Sequence, residues 1–88
     1  MYATMNPQAK GRLTKDEGDK FFLTNREGQR FNIDPTVGIL WKLCDGQTHI
    51  KQITDTYKQL LGISVDSEIV RGNLESTLLQ LRQNKLVD

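Results

Sequence analysis

Residues 31–53 read FNIDPTVGILWKLCDGQTHIKQI, and their punctuation decides the fold. Phe31 and Ile33 alternate with polar neighbours as in a half-buried strand. Asp34-Pro35 follows, an N-cap residue and then proline at the first helical position. Val37, Leu40, Trp41 and Cys44 recur at i, i+3, i+4 and i+7, which predicts a helix over 35–44. Ile39 and Leu43 make that helix apolar nearly all round, so it is expected to be buried, with Trp41 inside. Gly38 within it costs about 1 kcal/mol relative to alanine, which points to close approach by another element. Asp45-Gly46 supplies a residue suited to the left-handed conformation, and Thr48 is placed to cap a second helix at once.

Working outward, three strands are expected before this stretch. Arg12–Lys15 turns at Asp16-Glu17-Gly18-Asp19 into the strand 20–25. Arg26-Glu27-Gly28 turns that strand into Gln29–Ile33. Residues 1–11 (MYATMNPQAKG) lack periodicity and are expected to be a flexible N-terminal tail to a domain spanning 12–88. Two further helices follow. The second, 49–61, aligns Ile50, Ile53, Tyr57 and Leu60, with Lys51, Asp55 and Lys58 toward water, and ends at Gly62. The third, 67–84, aligns Val70, Leu74, Leu78 and Leu81, with Ile69 and Leu79 widening the stripe. Asp66 or Ser67 begins it, Asn84 is suited to a left-handed end, and Leu86-Val87 fold back onto the core. The expected fold class is α+β: a three-stranded antiparallel sheet followed by three helices, winged-helix-like.

Composition narrows the function. Eighty-eight residues suffice for one modest core. Twelve basic and eleven acidic residues leave a net charge of +1, so no strong field steers the chain toward nucleic acid or a membrane. One cysteine excludes an intramolecular disulfide and fits a reducing, cytoplasmic setting. Apolar runs are far shorter than the roughly 20 residues a membrane helix needs.

Catalytic chemistry is scarce. Cys44 and His49 are each the sole residue of their type. A Cys-His nucleophile needs the two in contact with a third group orienting the imidazole. Cys44 instead lies on the apolar stripe of the first helix, where a free thiol behaves as a small hydrophobe. One His and one Cys cannot make the usual zinc site, and the glycines fall at turns rather than in a phosphate loop. No enzyme activity, catalytic residue, metal or cofactor is expected.

Two binding functions compete. A winged-helix outline raises DNA binding, but Lys51 and Lys58 flank Asp55, and Arg71, Arg82 and Lys85 are interspersed with Glu68 and Glu75. Those are ordinary solvated faces. The third strand points elsewhere. It enters the first helix directly, so its outer edge has no later partner, and Gln29–Ile33 carries no proline and one charge to blunt it. Such an edge is a template for a visiting strand.

Several segments together carry a family likeness: Lys20-Phe21-Phe22-Leu23-Thr24, Arg30-Phe31-Asn32-Ile33-Asp34-Pro35-Thr36, Leu43-Cys44-Asp45-Gly46 before Thr48-His49-Ile50-Lys51-Gln52-Ile53, and Asn73-Leu74 … Leu78 … Leu81-Arg82 … Leu86-Val87. Over residues 12–88 the chain resembles the PqqD family, the peptide-binding domains also called RiPP recognition elements. The resemblance implies a non-catalytic peptide chaperone that binds the leader segment of a ribosomally made precursor by strand addition. It implies a partner enzyme as well, such as a radical SAM protein or a cyclase/protease. Carried over residue by residue, the strand side is Gln29, Arg30, Phe31, Asn32 and Ile33. The helix side is Val70, Asn73, Leu74, Thr77 and Leu78. Asn73 stands where the family often has aspartate, and Lys85 where glycine is common. Products of such pathways include pyrroloquinoline quinone, lasso peptides and sactipeptides, and nothing in this chain selects among them.

Overall fold

The computed structural model describes residues 6–88. Strands β1 (Arg12–Lys15), β2 (Phe21–Thr24) and β3 (Arg30–Ile33) precede helices α1 (Pro35–Lys42), α2 (Ile50–Leu61) and α3 (Ser67–Gln83). The strands form one antiparallel sheet in the order β1-β2-β3. This is the expected fold, with element ends within about two residues of expectation.

Register divides the sheet into two faces. Leu13, Leu23 and Phe31 share one rung, and Arg12, Thr24 and Arg30 share the next. Leu23 is fully buried, so its rung faces the core. By alternation the opposite face shows Arg12, Thr14, Phe22, Thr24, Arg30 and Asn32. The helices cover the core face: α1 packs on β2 and α2, and α2 packs on α3. At Gly38 an added methyl would lie 3.6 Å from both Leu13 Cδ1 and Ile33 Cδ1. The expected close approach is therefore present, although alanine would make only ordinary contacts there.

The core gathers Leu23, Leu40, Cys44, Ile50, Ile53, Val70, Leu74, Leu78, Leu81, Leu86 and Val87. Several expectations about burial need correction. Trp41 is half-buried, not enclosed, with its indole N–H donating inward to the carbonyl oxygen of buried Leu86 at 2.9 Å. Val37, Ile39 and Leu43 are half-buried as well: α1 is too short to be covered on every side. Leu60 and Ile69, assigned to apolar stripes, are 61% and 60% exposed. They lie in the last turn of α2 and the first turn of α3, and Ile69 is turned away from the core stripe of Val70, Leu74, Leu78 and Leu81. Thr54 takes a core place on α2 instead, its hydroxyl donating to the carbonyl oxygen of Ile50 at 2.8 Å.

Two helix ends also differ from expectation. His49, not Thr48, caps α2: its Nδ1 accepts from the Lys51 amide at 3.1 Å, while the Thr48 hydroxyl donates to Asp45 at 3.0 Å. At the end of α3, Asn84 keeps a negative φ of −89 and Lys85 takes the left-handed place, with φ 61. The amides of Leu86 and Lys85 then bond the carbonyls of Leu81 and Arg82 at 2.8 and 3.0 Å. That is a Schellman cap, sealed by the apolar pair Leu81 and Leu86.

The expected tail 1–11 is corrected in part. Residues 1–5 lie outside the described residues. Residues 7–10 are packed: Pro7 is buried, Gln8 bridges to Asp45 and Ala9 to Val87. The Ala9 amide donates to Cys44 at 2.7 Å, that of Gly46 to Pro7 at 2.8 Å, and that of Lys10 to Leu86 at 2.9 Å. This segment joins the α1–α2 turn to the C-terminal residues. Backbone bonds make most of the join, helped by the buried Pro7 and by Ala9 against the core, and the short run carries no side-chain periodicity that would announce it.

Candidate functional site

The outer edge of β3 is unpaired among the described residues. Its free groups follow from the turn that precedes it. The Asn25 amide bonds the Gln29 carbonyl at 2.9 Å, which fixes 25/29 as a hydrogen-bonded pair. Antiparallel pairs alternate, so Leu23/Phe31 and Phe21/Ile33 bond each other, whereas Thr24/Arg30 and Phe22/Asn32 do not. The N–H and C=O groups of Arg30 and Asn32 therefore point away from the sheet. Phe31 and Ile33 have their backbone groups committed to β2, and their half-buried side chains pack against the core. Gln29 is taken up in the turn: its amide donates to Asn25 Oδ1 at 3.0 Å and its carbonyl is the acceptor just named.

Asn25 builds this corner, and the sequence reading did not single it out. It is 4% exposed. Its Oδ1 accepts from the Glu27 and Gln29 amides, and its Nδ2 donates to Gln29 Oε1 at 2.8 Å and to the Asn84 carbonyl at 2.9 Å. The β2–β3 turn is thus tied to the end of α3. Lys85 adds a second tie at the surface, with Nζ 2.6 and 2.8 Å from the two carboxylate oxygens of Glu27. An asparagine closing a hairpin before a glycine was the available signal.

The helix-side residues separate into two groups. Val70, Leu74 and Leu78 are 6%, 4% and 0% exposed and belong to the core. Asn73 is exposed, and Thr77 is half-buried with its hydroxyl donating to the Asn73 carbonyl at 3.1 Å. Asn73, Thr77 and Asn84 are spaced by four and seven residues, so they share the face of α3 that carries the tie to the turn. Exposed Ile69 continues the row one turn earlier. The α2 side of α3 is different: a cleft of about 300 Å3 there is lined by Lys51, Thr54, Asp55, Ser67, Glu68 and Arg71. Arg71 lies 3.8 and 3.9 Å from Glu68 and Glu75, and Lys58 donates to Ser67 at 2.9 Å. Those cations are engaged within the chain, contrary to what a phosphate-binding face needs.

Cys44 is 2% exposed and its thiol donates to the Leu40 carbonyl at 3.2 Å. Burial, with a smaller contribution from the Asp45 charge, pushes its pKa up to about 12, so it stays a thiol. Asp45 is held below the usual carboxylate range by the amides of Gln47 and Thr48 and by the Thr48 hydroxyl. No group of His, Cys, Asp and Glu suited to a metal ion occurs among the described residues, nor is any helix there long and apolar enough to cross a membrane.

Comparison with known proteins bears on this geometry. The profile of the family described as coenzyme PQQ synthesis protein D (PqqD) matches residues 15–87. No curated protein matches the sequence. The chain is similar to the PqqD truncation of PqqCD from Methylobacterium extorquens, solved by NMR and described as a functional, stand-alone RiPP recognition element. Identity is 26%, with 93% of this chain and 87% of that chain covered, at a TM-score of 0.72. It also shares its fold with TbiB1, solved in complex with the TbiA(beta) leader peptide. There identity is 20%, with 92% of this chain and 94% of that chain covered, at a TM-score of 0.68.

Proposed function

The chain belongs to the PqqD family, and from that premise we propose that it is a non-catalytic recognition element for a ribosomally made precursor peptide. It holds the precursor by an extended leader segment while a separate enzyme, a radical SAM protein or a cyclase/protease, modifies the rest. The single observation that carries this reading is the row of free backbone groups at Arg30 and Asn32, on an edge tied through Asn25 to the end of α3.

The leader adds as a fourth strand. Its backbone pairs with Arg30 and Asn32, and this sets register. Its inward side chains stand beside Phe31 and Ile33 and meet the α3 row Ile69, Asn73 and Thr77, while Val70, Leu74 and Leu78 support that row from the core. That division, backbone for affinity and pockets for selectivity, is general in strand addition. Asn73 offers a neutral amide to the leader rather than a charge. A thiol kept protonated by burial and a histidine spent on a helix cap supply no nucleophile or base, which supports the non-catalytic part of the reading. A reduced, buried cysteine suits a cytoplasmic site of action.

Reconstitution tests the proposal. With purified modifying enzyme and precursor, adding this chain should raise the extent of modification, and deleting the precursor's leader should remove that gain. Conversion of the precursor by this chain alone, or a gain that survives leader deletion, would contradict it.

A further inference from the structure

The two faces of the sheet make different demands on a visiting strand. The inward face is apolar and continues into the core. The outward face of the three strands consists of Arg12, Thr14, Phe22, Thr24, Arg30 and Asn32, with two guanidinium groups and no carboxylate. Arg12 and Arg30 sit on the same rung, on either side of Thr24.

Arg30 is the cation next to the open edge. Its guanidinium carbon lies 3.7 Å from the centroid of the Phe22 ring. Stacking on an aromatic face restrains the side chain and leaves the in-plane N–H donors free for a planar, bidentate acceptor. Among the described residues no carboxylate forms an ion pair with it. An arginine so restrained, exposed and without an anion is prepared for a carboxylate that the chain does not provide.

We infer that Arg30 sets leader specificity from the outward face, selecting extended peptides that carry a glutamate on the strand position beside it. The inference rests on strand addition at β3. The visiting strand lies about 4.8 Å beyond β3, with its side chains alternating between the faces. The residue on the Arg12–Thr24–Arg30 rung therefore points outward, and its neighbours on either side point inward. The recognised segment is apolar–glutamate–apolar. Glutamate is preferred over aspartate because the guanidinium sits back over β2, so the carboxylate has to reach across the β3 backbone. A lysine or arginine at the same place would meet the basic rung Arg12 and Arg30, and like charges directly across a sheet are unfavourable.

Selection from a displayed library of random twelve-residue peptides tests this without knowledge of the natural leader. The full-length chain is the bait, alongside Arg30→Glu, Arg30→Gln and Arg12→Glu. Wild type should enrich one glutamate position flanked by apolar residues. Arg30→Glu should switch that position to lysine or arginine, a change in preference of about tenfold, and Arg30→Gln should leave it without charge preference. Arg12→Glu, two strands from the visitor, should keep glutamate. Retention of the wild-type sequences by Arg30→Glu, or no acidic enrichment with wild type, would overturn the inference. Amide shifts in the selected complexes separate the two levels. Peptides that perturb β3 but ignore the charge at Arg30 sink only the specificity inference, whereas peptides that leave β3 unperturbed sink strand addition with it. Circular dichroism of each variant checks the fold, which an exposed side chain should not disturb.

Discussion

Asn25 donates from Nδ2 to the carbonyl oxygen of Asn84 at 2.9 Å, across 59 positions of sequence. The same side chain organises the β2–β3 turn through the Glu27 and Gln29 amides. One buried amide therefore sets both the shape of the hairpin and its distance from α3, the two walls between which a leader is proposed to lie. Asn25→Ala should destabilise the protein by about 2–4 kcal/mol, since several partners lose bonds worth about 0.5–1.5 kcal/mol each. Asn25→Asp keeps the two accepted bonds but turns a second carboxylate oxygen toward the acceptors Gln29 Oε1 and Asn84 C=O in a buried site, and should cost at least as much. Urea denaturation followed by circular dichroism checks both. Equal stability of wild type and Asn25→Ala would show that the tie is incidental.

Lys85 holds a left-handed conformation, φ 61, at the cap of α3, which costs a residue with a side chain about 1–2 kcal/mol. Its ion pair with Glu27 is exposed at both ends, and such pairs contribute about 0–1 kcal/mol. Lys85→Gly should accordingly leave stability unchanged or raise it by up to about 2 kcal/mol. Lys85→Val, branched at Cβ and unable to pair, should lower it. Thermal unfolding of the two variants side by side gives the answer, and a marked loss in Lys85→Gly would mean the ion pair is worth more than exposure allows.

These two residues also mark how much was legible in advance. Strand alternation, the Asp34-Pro35 helix start and the i, i+4 recurrence of Val70, Leu74 and Leu78 are local signals. Each produced its element. Gly46, with φ 77, fits the turn expected of it. What could not be read was whatever depends on two distant segments meeting. Asn25 reveals its role only when Asn84 is beside it. Residues 7–10 pair through backbone groups that every sequence possesses. Periodicity drew Leu60 and Ile69 into apolar stripes, but Leu60 sits in the last turn of α2 and Ile69 falls in the row of Asn73 and Thr77, and both are exposed. The site was legible to the same extent. The β3 edge followed from chain order, but its division into Arg30 and Asn32 outward and Phe31 and Ile33 inward needed the register. Family likeness supplied the helix side, and burial then removed Val70, Leu74 and Leu78 as open contacts.

Cys44 has a pKa raised from the usual 9.0 to about 12 by burial. At pH 8 the folded protein should hold about a thousandfold less thiolate than the unfolded chain. Reaction with a chromogenic disulfide reagent should thus be slow in the native state and fast in urea, with native reactivity tracking the opening of the fold. The sign for stability follows: the unfolded thiol ionises first, so this group's contribution is fully present below pH 9 and declines as pH rises toward 12. Rapid native labelling at pH 8 would show that Cys44 is open to solvent.

The central claim is strand addition at β3, and amide NMR on the full chain measures it most directly. Titration with the leader of its precursor should shift the Arg30 and Asn32 amides and slow their exchange with solvent. The amides of Phe31 and Ile33, already bonded to β2, should gain little protection. Asn73 and Thr77 on α3 should shift in step, and Thr77→Lys, near the groove rim, should weaken binding without unfolding the protein. Alternating protection at 30 and 32 is the result expected of a fourth strand. A leader that binds with shifts confined to α2, and leaves the exchange of Arg30 and Asn32 unchanged, would contradict the account.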